Sequence, residues 1–392
     1  MRPHLLNQRR ALNKNIAILG DVKIQPTATE PLNGLEAFTG LESTIVGHTK
    51  LSFKTVATLG HKGAKQMSTS GACTVANYTD SRSGKSGEFH HSLSAILVEI
   101  DGPLFWLRHL NARESGELTD LDMRFTPKGA QKAAAPLALV LGDTHVRFTD
   151  PRVDAATFGK NGIVEALAPA AIVYHDLLDG YASNPHHKGN PFNALAKWRS
   201  DFNDVEAEVM DAVQFVAKRT PPKTRGYIIS SNHNEFLIRW LQANDWRQDP
   251  ANAEFYLRTA LAVAERTKMG DGGAEYPDPF KYWVDQAGIE NITCLGDNDS
   301  LQMAGIELGM HGNLGPNGAR GSIKNLRRIG VKSIIGHSHS PGISEGAYQV
   351  GTSSRLRLEY NRGVSGWLHT HCALHADGKR QLLTIADGRW RL

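Results

Sequence analysis

Cysteine is scarce in this chain: Cys73, Cys294 and Cys372 are the whole complement of 392 residues, and no two are close. An odd, scattered set excludes a disulfide framework and a Cys-x-x-Cys zinc site, and a reducing cytoplasm is the natural compartment. Long apolar runs are missing as well. No stretch approaches the ~20 residues a membrane-spanning helix requires, so no membrane partner is expected. The basic first residues, Arg2, Arg9, Arg10 and Lys14, lack the apolar segment of a secretory signal. They read as a frayed basic arm. Internal repeats and low-complexity segments are also absent, and the net charge of +4 permits an anionic partner without demanding one.

Histidine, by contrast, is plentiful at 17 residues. Where the histidines fall depends on how the chain is organised. Its length suits two parts rather than one ordinary domain. Up to about residue 124 it is rich in Gly, Ser and Thr, and SAILVEIDGPLFWLRHL (94–110), with its Asp101-Gly102 turn signal, predicts a hairpin. TPKGAQKAAA (126–135) has linker composition. Beyond it PLALVLGD (136–143) predicts a strand, residues 150–168 are helical in character, and AAIVYHD (170–176) predicts a second strand, a βαβ unit. A long polar helix is expected over 193–218. GYIISSNHNE, NITCLGD, IELGMHGN and IIGHSHSPG supply further strands. The expectation is an α/β (α+β) protein: a β-rich region over 1–130 and an α/β domain over 131–392.

Five strand ends carry polar residues of one chemical kind. GDTHV has Asp143 and His145, HDLLDG has Asp176 and Asp179, SNHNE has Asn232, His233 and Glu235, MHGN has His311, and GHSHSPG has His337 and His339. In open α/β sheets the carboxyl ends of strands converge on one crevice, where ligands gather. Carboxylate, imidazole and carbonyl donors without cysteine suit exchangeable hydrolytic metals, Mn²⁺ first, with Fe, Zn or Mg as other candidates. Two such cations need a carboxylate that can bridge them.

In this order, D-x-H, D-x-x-D-G, N-H, H-G and G-H-x-H resemble the signature of calcineurin-like metallophosphoesterases over residues 136–342. The resemblance implies the sandwich fold of that family and two divalent ions. Asp143, His145 and His339 would hold one, Asn232, His311 and His337 the other, Asp176 would bridge them, and His233 would be the general acid or the stabiliser of the scissile phosphate. Three positions depart from the pattern. His175 and Ser231 stand where glycines are usual, and Asn234 stands where an acidic residue steadies the catalytic histidine, with Glu235 next in line to replace it. Hydrolysis in that family involves no covalent intermediate.

Other motifs read more plainly. SRSGKSG (81–87) resembles the end of a phosphate-binding loop but lacks its first glycine, and reads as a basic loop or turn. His90 and His91 read as a surface or core pair, and His369 and His371 as structural. NGARGSIKNLRRIG (317–330) predicts a helix whose basic face, Arg320, Lys324, Arg327 and Arg328, lies between two metal motifs. With SRSGK and AKRTPPKTR (217–225) it suits a nucleic-acid backbone, DNA before RNA. GACTVANYTDSRSGKSGEFHHS (71–92) and YQVGTSSRLRLEYNRGVSGWLHTH (348–371) resemble phosphoesterases of tailed bacteriophages, the group containing early DNases implicated in destroying host DNA. The expected function is a metal-dependent phage DNase working in the host cytoplasm, for which a homo-oligomer is open. A nucleotide or small phosphate-ester phosphodiesterase or phosphatase is the alternative, and a non-catalytic nucleic-acid-binding or virion protein the third.

Overall fold

The structure, a computed structural model, describes residues 5–59, 63–187 and 189–392. Arg2 of the expected arm lies outside them. The rest of that arm is not frayed: Arg9–Asn13 is an edge strand paired with Ile16–Leu19, and Arg9 forms an ion pair with Glu42. Charged side chains on an edge strand discourage pairing with other chains.

Two sheets face one another. The six-stranded sheet runs Ile292–Leu295, Arg225–Ile229, Ala171–Tyr174, Ala138–Val140, Thr370–Leu374, Arg380–Thr384. Its first four strands are parallel, and the last two form an antiparallel hairpin against Ala138–Val140. Successive side chains of a strand point to opposite faces. Leu139, Ile172, Tyr174 and Ile228 therefore pack with Val153, Ile163, Val209 and Phe255 of the helices on one side. Ala138, Val140, Val173 and Ile229 pack on the other side with Ile334, Ile343 and Tyr348 of the second sheet. Each fully buried side chain of this size stabilises by about 1.5–3 kcal/mol.

The second sheet has ten strands. Lys332–Ile335, Gly342–Ser344 and Ala347–Gln349 sit at its middle, and Ser52–Val56 pairs directly with Gly342–Ser344. The β-rich N-terminal region thus contributes five strands to a sheet that also carries a histidine motif. The 94–110 hairpin forms as Ser94–Asp101 with Leu104–Asn111.

Several local expectations are corrected. Residues 126–135 are not a linker: Gly129–Lys132 folds back on Met123–Thr126, and Thr126 Oγ1 closes the turn by donating to the Gly129 carbonyl (3.1 Å). The long helix is two, Pro191–Arg199 and Val205–Arg219, broken where Asp201 takes a positive φ and Asp204 caps the second by accepting from Ala207 N. SRSGKSG is mostly helix: Arg82–Phe89, capped by Ser81. Its glycines serve packing, since a Cβ on Gly84 would lie 1.9 Å from the Thr79 carbonyl and one on Gly87 2.8 Å from the Tyr78 ring. Among the described residues no helix is long and apolar enough to cross a membrane.

Candidate metal centre

Four segments following strand ends meet at one edge of the two sheets. Beyond Val140 the chain keeps parallel contact with the segment after Tyr174: Thr144 N donates to His175 O (2.9 Å) and His145 N to Asp176 O (2.7 Å). On its other side Asp143 N donates to Gly351 O (3.1 Å), and Gly336 N to His311 O (2.7 Å) ties a third segment to a fourth. The approach is close enough that a Cβ on Gly142 would lie 2.9 Å from the Gly351 and Thr352 backbone, and one on Gly336 2.3 Å from Asp143 Oδ1. Glycine before Asp143 and before His337 is therefore a packing requirement.

Within that edge Asp143, His145, Asp176 and His339, all buried, bring one ligand atom each to within 4.8 Å of one another. His339 Nε2 is 3.0 Å from Asp143 Oδ2, and His311 Nε2 is 3.2 Å from Asp176 Oδ2. The rings of His311 and His337 are 5.3 Å apart. Asn232 presents a buried, unpartnered Oδ1. His145, Asp176, His337 and His339 all have positive φ, between 43° and 75°. Each such non-glycine residue costs about 1–3 kcal/mol and clusters where function requires it.

Buried polar atoms are ordinarily hydrogen-bonded, and each one left over costs about 1–3 kcal/mol. Here both carboxylate oxygens of Asp143 and of Asp176, together with Asn232 Oδ1, His311 Nε2 and His339 Nδ1, have no hydrogen-bond partner. Hard anionic and borderline imidazole donors, buried together in one pocket, fit a divalent cation. The electrostatics agree. Burial alone would raise Asp143 and Asp176, but the imidazoles around them hold both below the usual carboxylate range. Burial would depress His145, yet Asp179, Asp176 and Asp143 raise it to about 9. Positive charge beside the two buried carboxylates is thus favoured. The cluster could hold a metal ion.

Comparison with known proteins places the chain. No protein-family profile matches it, and no solved structure matches it. Over 390 residues, 96% of this chain and 70% of the relative's length, it is 31% identical to Protein A1 of Escherichia phage T5. The chain belongs to the Protein A1 family. That membership supports a phage origin.

Around the cluster, this Protein A1 relative holds its histidines from behind. Asp179 Oδ2 lies 3.1 Å from His145 Nδ1, a direct contact with a metal-type residue. His175 sets its Nδ1 3.3 Å from that of His311. His233 belongs to a second trio with His145 and Asp179. Its Nδ1 donates to the Asp179 carbonyl at 2.6 Å, so Nε2 is the nitrogen left free in the neutral ring. Neither neighbour steadies it. Asn234 is turned inward between Ile229 O and Leu178 N, and Glu235 pairs with Arg239 at 2.5 Å.

Beside His233 and Asp179 opens a cleft of about 680 Å³, walled by Phe148, Tyr181, Phe236 and Tyr360 and carrying Arg355, Arg357 and Arg362. These arginines were not among the sequence candidates, although RLRLEYNR interleaves them with an aromatic residue. The expected basic helix is cut to Ile323–Leu326, with Arg327 after it. Arg327 is inward, its side chain 7% exposed, paired with Glu30 and Glu345 and donating to Ser344 Oγ at 2.8 Å. Arg320, Lys324 and Arg328 are exposed and outside this cleft. His371 is structural: Nδ1 accepts from Gly142 N (2.9 Å) and Nε2 meets Thr157 Oγ1 (2.8 Å).

Proposed function

We propose that this protein is a divalent-metal-dependent phosphodiesterase with the calcineurin-like metallophosphoesterase sandwich, and that its substrate is DNA. The observation that carries the reading is the convergence of Asp143, His145, Asp176, His311 and His339 in one buried cluster, where the carboxylates face only imidazoles. Asp143, His145 and His339 would hold one ion, Asn232, His311 and His337 a second, with Asp176 between them. Bound Mn²⁺ would supply Lewis acidity and water of lowered pKa. His233, oriented by the Asp179 carbonyl, donates a proton to the leaving oxygen when its ring is charged. Arg355, Arg357 and Arg362 neutralise flanking phosphates, and Tyr360 and Phe236 offer faces for bases to stack on.

The test is incubation of purified protein with plasmid, linear and single-stranded DNA and Mn²⁺, with and without EDTA. Cleavage that EDTA abolishes supports the proposal. A second reading is favoured by cleft size, since about 680 Å³ suits a nucleotide-sized ligand. On that reading a nucleotide or small diester is hydrolysed briskly and every DNA form survives.

A further inference from the structure

A second cavity, of about 410 Å³, opens elsewhere in the fold, lined by Lys50, Phe89, Arg327, Lys332, Lys379 and Arg380 among others. Its lining Arg380 reaches the carbonyls of Ser333, the second residue of the strand Lys332–Ile335, and of Gly346, just before Ala347–Gln349. His337 follows the other end of the first strand. At ~3.3 Å per residue the cavity floor is therefore about 13 Å of chain from the metal-type residues, at the opposite edge of the sheet.

Its charge is unbalanced. Five lining side chains are cationic, and Glu345 is the one carboxylate. Glu345 is already shared by Lys50 (3.3 Å) and Arg327 (3.5 Å), with His90 at 3.8 Å. Arg380 is buried, and its Nη1 donates to Ser333 O (2.9 Å) and Gly346 O (2.7 Å) while the guanidinium stacks on Tyr348 at 4.0 Å. Among the described residues no carboxylate pairs with Arg380, Lys332 or Lys379 within 4.0 Å. Of the three, Arg380 is buried, Lys379 half-buried and Lys332 exposed, and a buried charge is normally paired. Burial, and then Arg380 and Lys379, depress the pKa of Lys332, the mark of cations crowded without an anion.

The geometry points to a second ligand site here, one that binds a mononucleotide through its phosphate. Arg380 at the floor, with Lys332 and Lys379, supplies the charge a phosphate dianion needs. Phe89, 78% exposed at the rim and edge-on to His90 at 5.0 Å, supplies a face for the base. The volume admits a small ligand and not a duplex.

Binding of dAMP, deoxyadenosine and inorganic phosphate to the full chain in EDTA buffer, by calorimetry, tests this independently of any hydrolysis. Saturable 1:1 binding of dAMP is expected, at least about tenfold tighter than phosphate, with deoxyadenosine weaker still. Arg380→Gln should abolish it. Because that residue is buried, Lys332→Ala/Lys379→Ala is the companion variant, in which dAMP affinity should fall at least about tenfold with the fold intact. Phe89→Ala should weaken dAMP and leave phosphate unchanged. No saturable binding, deoxyadenosine matching dAMP, or dAMP affinity unchanged in the double variant but lost in Arg357→Ala would overturn the assignment.

Discussion

The Nε2 atoms of His145 and His339 stand 3.0 Å apart inside a fully buried cluster. Two imidazole nitrogens at that distance repel through their lone pairs unless a proton or a cation lies between them. Mn²⁺ added to chelator-treated protein should therefore raise the thermal midpoint, each ion adding about 2.7 kcal/mol of stability at a hundredfold excess over Kd. His339→Ala should lose much of the gain, as differential scanning fluorimetry would show. A midpoint that ignores Mn²⁺ would be evidence against a metal site.

Asp176 lies within reach of both halves of the cluster, 3.2 Å from His311 Nε2 and 3.7 Å from His145 Nε2. Asp176→Asn should lower metal occupancy and remove nearly all turnover. The metal-free variant should be less stable than the metal-free parent, because the imidazoles that hold Asp176 below the usual carboxylate range lose their charged partner. Metal analysis with urea denaturation checks both halves, and full occupancy with intact turnover contradicts the first.

His233→Ala should keep fold and metal while turnover falls about 10²–10⁴-fold on substrates with poor leaving groups. Esters with very good leaving groups should suffer far less. Equal losses on both would remove the proton-donor role.

Much of this site was legible because each strand end is a short local signal, an apolar run closed by Asp, Asn or His, with a glycine before Asp143 and before His337. The residues that support it from behind were not. Asp179 could be seen only as a loop residue, and the contact of His175 with His311 spans 136 residues. The basic helix misled because Arg327 finds Glu30 across 297 residues, a pairing no local pattern announces. Likewise the break before Val205–Arg219 rests on one cap at Asp204 that the polar run concealed. The N-terminal strands read correctly as β, but their partner, Gly342–Ser344, lies some three hundred residues on.

The arginines now separate into two kinds. Arg355→Ala with Arg362→Ala should weaken DNA binding and flatten its salt dependence, by roughly one unit of slope per lost phosphate contact. Arg328→Ala should change neither. Arg327→Ala should instead destabilise the fold by about 1–3 kcal/mol, since it removes a nearly buried side chain and leaves two half-buried carboxylates without it. Salt-titrated binding and urea melts distinguish these outcomes.

Acid should destabilise the metal-free protein through buried neutral histidines. Burial depresses His109 to about 4 and His371 to about 3, against 6.5 ordinarily. Below pH 6.5 the unfolded chain takes up protons the folded chain refuses, so stability falls as pH drops toward 4. The slope is roughly 1.4 kcal/mol per pH unit for each. His109→Asn should lessen the slope in urea melts between pH 7 and pH 5. An unchanged slope would mean His109 titrates normally in the folded state.

The central claim, that this cluster holds two divalent ions bridged by Asp176, is tested most directly by electron paramagnetic resonance of metal-free protein titrated with Mn²⁺. Ions about 3.5–4 Å apart are magnetically coupled. The account predicts a coupled multiline signal that saturates at two equivalents and is absent from Asp176→Asn. A spectrum of isolated Mn²⁺ at every ratio, or no bound Mn²⁺ at all, would contradict it.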